Sequence, residues 1–261
     1  MAEIVIVENQ EAAGRLVADA IAQLVRRKPD TVLGLATGST PLGVYRALEE
    51  IVRDEQLDVS GVRGFALDEY VGLPAGHPES YRSVIDREVV QPLGLVPERI
   101  AVPPGGPDGI ETAGERYEAA IEAAGGVDLQ ILGIGRTGHI GFNEPGSSLA
   151  SLTRVKTLTE PTRADNARFF SSPDEVPMHC ITQGIGTILR ARHLVLLAFG
   201  AAKAHAVAAA VEGPVTASQP GSAIQLHPHA TVVIDEAAAA ELEQTAYYRY
   251  AWDNKPAWQG I

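Results

Sequence analysis

The sequence predicts an α/β protein: a single-domain, open, mostly parallel sheet with helices on both faces, a Rossmann-like arrangement. Two observations carry that expectation. Short apolar runs of strand type alternate with segments of helical spacing along the 261 residues, and such alternation implies βαβ units with right-handed crossovers. No internal repeat, low-complexity linker or break in composition divides the chain, so residues 1–261 read as one domain. A hydrophobic content of 45% is ample for its core.

Taken in order, Met1 to Glu8 reads as a short strand rather than a signal peptide, because it has no basic leader. Leu16, Ala20 and Leu24, with Val17, Ile21 and Val25 beside them, then recur at helical spacing up to Arg26-Arg27. Thr31 to Ala36 is the next strand. Thr37-Gly38-Ser39-Thr40-Pro41 turns the chain into a helix from about Pro41, on which Leu42, Tyr45 and Leu48 share a face. Val62 to Leu67 reads as a third strand, broken at Asp68-Glu69-Tyr70. A Gly-, Pro- and His-containing loop covers residues 72–80, and helices follow at Tyr81–Val90 and Glu111–Ala124.

Val127 to Gly135 reads as a fully buried strand ending in glycines. Residues 150–183 are polar, rich in Ser, Thr and Arg, and form a lid candidate. His193–Phe199 is a strand with a helix behind it at Ala201–Val211. Ala230–Ile234 is the last strand, followed by an alanine-rich helix over 235–244.

The formal charge of -12 argues against nucleic acid or an anionic membrane as the main partner, while leaving a small anionic substrate open. No apolar run reaches the ~20 residues needed to span a bilayer. Cys180 is the only cysteine, so an intramolecular disulfide and a cysteine metal cage are both excluded. A soluble protein of the reducing cytoplasm is expected. His227-Pro228-His229 has no third ligand at suitable spacing and reads as structural, so no metal site is expected.

Chemistry is concentrated where strands end. Gly138-His139-Ile140-Gly141-Phe142-Asn143-Glu144-Pro145 delivers a histidine and a glutamate five positions apart on a glycine-rich loop. Imidazole titrates near neutrality, and a nearby carboxylate can hold it charged or fix its orientation. Taken singly, such a pattern is weak and favours a strand-to-helix turn with a surface His and a helix-start Glu. Gly38, Ser39 and Thr40 lie between a strand and a helix start, where backbone amides and the helix dipole suit a phosphate; a capped helix, with Ser39 or Thr40 as the cap, fits as well. Lys203 opens a helix, where a cation opposes the helix dipole unless an anion binds there. Asp68 at a strand end suits a general base or an ordinary loop start. All four segments follow strands, so a parallel sheet brings them to one carboxyl edge. Together they describe acid–base chemistry on a phosphorylated small molecule.

Longer motifs carry a resemblance. They include A-T-G-S-T-P (36–41), L-D-E-Y-V-G-L (67–73), H-P-E-S-Y (77–81), G-H-I-G-F-N-E-P (138–145), S-S-L-A-S (147–151) and R-V-K-T-L-T (154–159). T-R-A-D-N-A-R-F-F (162–170), T-Q-G-I-G-T-I-L (182–189), V-E-G-P (211–214) and Q-L-H-P-H-A (225–230) complete the set. Through these motifs, nearly end to end, the chain resembles the glucosamine-6-phosphate deaminase family of aldose–ketose isomerases. The resemblance implies conversion of glucosamine 6-phosphate and water to fructose 6-phosphate and ammonia, without metal, nicotinamide or pyridoxal cofactor. It implies ring opening by His139, proton transfer between carbons 2 and 1 by Asp68, and orientation of His139 by Glu144. It implies a phosphate site of Gly38, Ser39, Thr40, Arg168 and Lys203.

Some members of the family also bind N-acetylglucosamine 6-phosphate as an activator, and Ser147, Ser148, Arg154, Lys156 and Thr157 match that motif. Allosteric members are typically hexamers and others monomers, so a homo-oligomer and a monomer both remain open. The family carries Asp, or Asn in some members, immediately before G-H-I; here the residue is Thr137, which offers a hydroxyl and no charge. Two other readings share the fold. A phosphosugar lactonase uses a similar G-x-G-H loop, but D-E-Y-V-G-L and F-N-E-P favour the deaminase. A catalytically altered paralogue acting as a sugar-phosphate sensor draws weight from Thr137; Asp68 and His139, the acidic charge and the lack of an added helix-turn-helix count against it.

Overall fold

The computed structural model describes residues 2–256 and 258–261. Met1, assigned above to the first strand, lies outside them. The chain runs β1 (Glu3–Val7), α1 (Gln10–Arg27), β2 (Val32–Leu35), α2 (Leu42–Asp54), β3 (Arg63–Ala66) and β4 (Asp68–Tyr70). Next, α3 (Tyr81–Ile85) passes through a π-helical turn, Asp86–Val90, into α4 (Gln91–Leu93). It continues with β5 (Ile100–Ala101), α5 (Ala113–Ala123), β6 (Leu129–Gly133), β7 (Arg154–Thr157), α6 (Glu160–Asn166) and β8 (His179–Thr182). The last elements are α7 (Ile185–Ile188), β9 (His193–Ala198), α8 (Ala204–Val211), β10 (Ala230–Asp235) and α9 (Thr245–Asp253).

Seven strands form one parallel sheet in the order β1-β10-β9-β6-β2-β3-β5. Its central strands are buried on both faces: Leu194 to Ala198 is a continuous apolar run, and Leu129 to Leu132 is interrupted only by the buried Gln130. After β2 the chain winds outward through β3 and β5; after β6 it winds the other way through β9 and β10. With right-handed crossovers, opposite winding directions put helices on opposite faces. The loops that leave β2 and β6, which are neighbours, therefore diverge and open a crevice at the carboxyl edge.

Three findings depart from the sequence reading. The main-sheet strand does end ahead of Asp68, but Asp68-Glu69-Tyr70 is itself a strand, β4, the end strand of a second, three-stranded antiparallel sheet in the order β4-β8-β7. The chain leaves the main sheet at Leu67, whose amide still reaches Leu35 O (3.1 Å) and whose carbonyl accepts from Gln183 N (2.7 Å). The alanine-rich helix expected over 235–244 is instead a run of turns at 236–241, and the helix at this end of the chain is α9. The Asp235 carboxylate accepts from Ala238 N (2.8 Å) and from Gly200 N (3.0 Å), a local tie that competes with helix formation. Lastly, Ser39 and Thr40 do not cap α2, whose N-cap position is Pro41, with no side-chain cap bond.

The lid candidate is anchored at both ends, since β7 and β8 pair with each other and carry residues 158–178 between them. No helix of the described residues is long and apolar enough to cross a membrane.

Candidate active site

His139 sits on the loop after β6, and that loop is closely tied. Gly135 N donates to His139 O (2.9 Å), Gly138 N to Gly135 O (3.0 Å) and Gly221 N to Gly138 O (2.7 Å). A Cβ at Gly135 would overlap the His139 ring, and Gly138 has φ +79, so glycine is required at both positions.

The imidazole is held from one side. Its Nδ1 lies 2.9 Å from the Thr137 hydroxyl oxygen and 3.2 Å from Glu144 Oε1. The Thr137 hydroxyl in turn donates to Glu144 Oε2 (3.0 Å). A carboxylate only accepts, and the Thr137 hydroxyl proton is committed to Glu144, so Nδ1 is the ring donor to this pair and Nε2 stays outside it.

Two further hydroxyls fix the carboxylate. Thr162 donates to Glu144 Oε1, and Thr159 approaches the same oxygen at 3.4 Å. Burial alone would raise the Glu144 carboxyl. The His139 hydrogen bond and charge, with the two threonine hydroxyls of 162 and 137, overcome it and bring the group down to about 2.

Asp68 has the opposite environment. It is buried, and among the described residues no donor bonds to its carboxylate. Burial, with the neighbouring Glu69 charge added, pushes it up to about 8. Glu69 does not share the site: its carboxylate accepts from Tyr70 N, Tyr81 N and Arg82 N (2.7–2.9 Å) and caps the start of α3. The two carboxylates of D-E-Y-V-G-L thus split into a desolvated, unpaired one and a structural one. Asp68 lies against the histidine loop, because a Cβ on Gly141 would come within 3.5 Å of Asp68 Oδ2. Register adds to this: Asp68 pairs with Thr182, whose hydroxyl accepts from Phe142 N (3.1 Å).

The residues expected to bind phosphate lie at the same edge. Gly38, Ser39 and Thr40 follow β2, and Gly38 has φ +92. Lys203 precedes α8 and donates to Ile134 O (2.7 Å), at the end of β6. Burial lowers the Lys203 ammonium; Asp165 opposes that shift, while Arg136 and Arg168 add to it. Arg168 stacks on the Phe169 ring at 4.7 Å.

The residues that match the effector motif lie on the turn after Glu144 and on β7. Ser147 is buried on the turn after Glu144, and Ser148 caps the turn at Ala150 N (3.3 Å). Lys156 and Thr157 lie on β7. Arg154, on the same strand, donates to Asn143 Oδ1 (2.6 Å), inside the F-N-E-P turn. Asn143 Nδ2 is spent on Ile140 O and Gln183 O.

Sequence reasoning missed Thr159 and Thr162. Thr159 had a local signal, since it is the N-cap of α6 and accepts from Thr162 N (3.3 Å); their convergence on Glu144 had none. His227 is structural as expected: Nε2 meets Ala191 O (2.7 Å) and Nδ1 accepts from His229 N (3.0 Å). Among the described residues no group of three or more His, Cys, Asp or Glu side chains is arranged to hold a metal ion.

Residues 7–234 match the family model described as glucosamine-6-phosphate isomerases/6-phosphogluconolactonase. The chain is 62% identical over 270 residues to a glucosamine-6-phosphate deaminase of Bifidobacterium longum, covering 100% of both chains. It is 61% identical over 260 residues to one of Streptomyces coelicolor, covering 99% of this chain and 100% of that one. Among solved structures it is similar to a monomeric glucosamine-6-phosphate deaminase (TM-score 0.89, 42% identity, 92% of this chain and 99% of that one). A 6-phosphogluconolactonase from Trypanosoma cruzi shares the fold at 19% identity and a TM-score of 0.71, over 93% and 97% of the two chains.

Proposed function

The chain belongs to the family of glucosamine-6-phosphate isomerases and 6-phosphogluconolactonases, and from that premise we infer that it is a glucosamine-6-phosphate deaminase of amino-sugar catabolism. The reaction takes glucosamine 6-phosphate and water to fructose 6-phosphate and ammonia. The observation that carries this reading is the pairing of two opposite environments on one rim. An oriented histidine offers a free Nε2, and a desolvated carboxylate beside it has no protein donor.

His139 moves a proton from the anomeric hydroxyl to the ring oxygen and opens the pyranose. Thr137 and Glu144 hold the ring so that Nε2 meets those oxygens, and Glu144 stabilises the imidazolium while the proton is on it. Asp68 takes the proton from carbon 2 while the substrate ammonium gives up one proton and O1 gains one, which leaves an enolamine. The same carboxyl returns the proton to carbon 1, giving an imine at carbon 2. Water adds to that imine and ammonia leaves, so the overall step is hydrolysis of a carbon–nitrogen bond. A carboxyl near 8 suits this work, because a base and a returning acid are both needed near neutral pH. The reading assigns no role to a metal or organic cofactor, since side chains carry both protons.

Gly38, Ser39, Thr40, Arg168 and Lys203 hold the phosphate. Residues 150–183 act as a lid over it; the helix between the two paired strands brings Thr159 and Thr162 onto Glu144 and carries Arg168 behind them. Activation by N-acetylglucosamine 6-phosphate belongs to the same proposal. An anion drawn to Arg154 would compete with Asn143, and so bear on the turn that carries Glu144. Ser147, Ser148, Lys156 and Thr157 would complete that site, within a homo-oligomer. The cytoplasm is the compartment the reading implies. A coupled assay for ammonia and fructose 6-phosphate, with and without N-acetylglucosamine 6-phosphate, tests the whole; absence of ammonia release would overturn it. Sedimentation with and without the effector tests the assembly.

A further inference from the structure

Arg136 is used by none of the steps above, yet it stands between the parts of the phosphate site. It lies on the loop after β6, and β6 is flanked in the sheet by β9, which leads to Lys203, and by β2, which leads to Gly38–Thr40. Two residues before it, Ile134 O holds the Lys203 ammonium at 2.7 Å. Its own guanidinium reaches across to α6, where Nη2 meets Asp165 Oδ1 at 2.6 Å. Asp165 stands three residues before Arg168. The charges of Arg136 and Arg168 both bear on Lys203. Three cations thus belong to one neighbourhood, in which Arg136 is paired with the Asp165 carboxylate.

We propose that Arg136 is a third cation of the phosphate site, which exchanges its contact with Asp165 for the substrate phosphate when a phosphate monoester binds. This inference rests on the sugar-phosphate reading above and adds a specificity-determining residue to it. The ion pair is poorly protected: its side chains are 61% and 50% exposed, and pairs of that kind contribute little to stability. Giving it up therefore costs little. A phosphate dianion offers the guanidinium more charge than a carboxylate and the same two-oxygen geometry. Asp165 then acts as a placeholder, which keeps the arginine aimed at the crevice and sets a threshold against weaker anions.

The test uses the full chain, with inorganic phosphate titrated by calorimetry and glucosamine 6-phosphate followed in the ammonia assay. Arg136→Gln should weaken phosphate binding and raise KM by roughly tenfold, a charge-assisted contact discounted for exposure, with a smaller change in kcat. Arg136→Lys should recover part of the loss. Asp165→Asn should tighten phosphate binding, because the competing carboxylate is gone. Phosphate affinity and KM within twofold of the parent in Arg136→Gln would overturn the proposal. So would a weakening in Asp165→Asn equal to that in Arg136→Gln, which would make the pair a structural tie. Calorimetry does not depend on turnover. A parent that binds phosphate but releases no ammonia would refute the deaminase reading and leave the role of Arg136 measurable.

Discussion

The Thr137 hydroxyl oxygen lies 2.9 Å from His139 Nδ1 and simultaneously donates to Glu144 at 3.0 Å. Threonine at this position therefore does what an uncharged hydrogen-bonding residue can do: it sets the tautomer of the histidine and links it to the carboxylate. It adds no second negative charge beside the ring.

Thr137→Val keeps the shape and removes the hydroxyl. Hydrogen bonds to charged groups contribute about 1.5–3 kcal/mol, so kcat on closed-ring substrate should fall roughly ten- to a hundredfold. KM should change less. A variant with parental kcat would show that Glu144 suffices to orient the ring.

Thr137→Asp supplies the missing charge. A carboxylate beside the ring favours the imidazolium, so the loss of kcat on acidification should begin at higher pH than in the parent. Turnover at neutral pH should be preserved or improved. The comparison is made at saturating substrate, where the substrate ammonium has already favoured the ionised form of Asp68. A superimposable profile would mean the added charge is taken up by Glu144 rather than by His139.

Asp68→Asn removes the base and keeps its volume. Deamination should be abolished while fructose 6-phosphate binding, read by calorimetry, stays near the parental value. Stability should move as well. The folded carboxyl titrates near 8 against an ordinary 3.8, so the folded state binds the extra proton in that window and the parent loses stability as pH rises through it. The asparagine variant lacks that loss, so its advantage in Tm should open above about pH 4 and level off near pH 8. A Tm difference independent of pH would mean Asp68 is ionised in the free protein.

Lys203→Ala should weaken glucosamine 6-phosphate binding by about one to two orders of magnitude and shrink discrimination against unphosphorylated glucosamine. Its ammonium is already anchored to Ile134 O, so little ordering remains to be done on binding. Unchanged affinity would place the phosphate elsewhere.

Acid stability should fall in two overlapping windows. His193 is buried, stacked on His229 at 3.8 Å, and bonded through Nε2 to the Thr231 hydroxyl. Burial, with the neighbouring histidines and Lys255, lowers it from 6.5 to about 3. The folded state therefore binds fewer protons than the unfolded chain, and stability is lost as pH falls from 6.5 toward 3. Glu144, lowered from 4.5 to about 2, adds a second loss from 4.5 downward. His193→Gln keeps a hydrogen-bonding group and removes the His193 share of the first window, to which His229, also lowered by burial, contributes the rest, so its Tm should drop less than the parent's between pH 7 and 5. Equal drops in Tm would exclude His193 as the cause.

What was legible in the sequence was what local pattern and chain order determine. Apolar runs marked most strands of the main sheet, helical spacing marked α1, α2 and α5, and the glycines around His139 marked a loop at a strand end. Parallel topology then carried Gly38–Thr40, Asp68, His139–Glu144 and Lys203 to one edge, because every loop that follows a parallel strand emerges on the same side. Tertiary structure decided the rest. Asp68-Glu69-Tyr70 became a strand because residues 179–182, more than a hundred positions away, supplied its partner. The run at 236–241 stayed in turns where Asp235 tied Ala238 to Gly200, since the helix preference of alanine is worth only tenths of a kcal/mol per residue. Thr159 and Thr162 reached Glu144, and Asp165 reached Arg136, only after β7 and β8 had brought α6 against the histidine loop. The opposite titration of Asp68 and Glu144 is of the same kind. Both are carboxylates on loops or strand ends in the sequence, and only packing determines which loses water without a partner and which gains donors from His139 and the threonine hydroxyls.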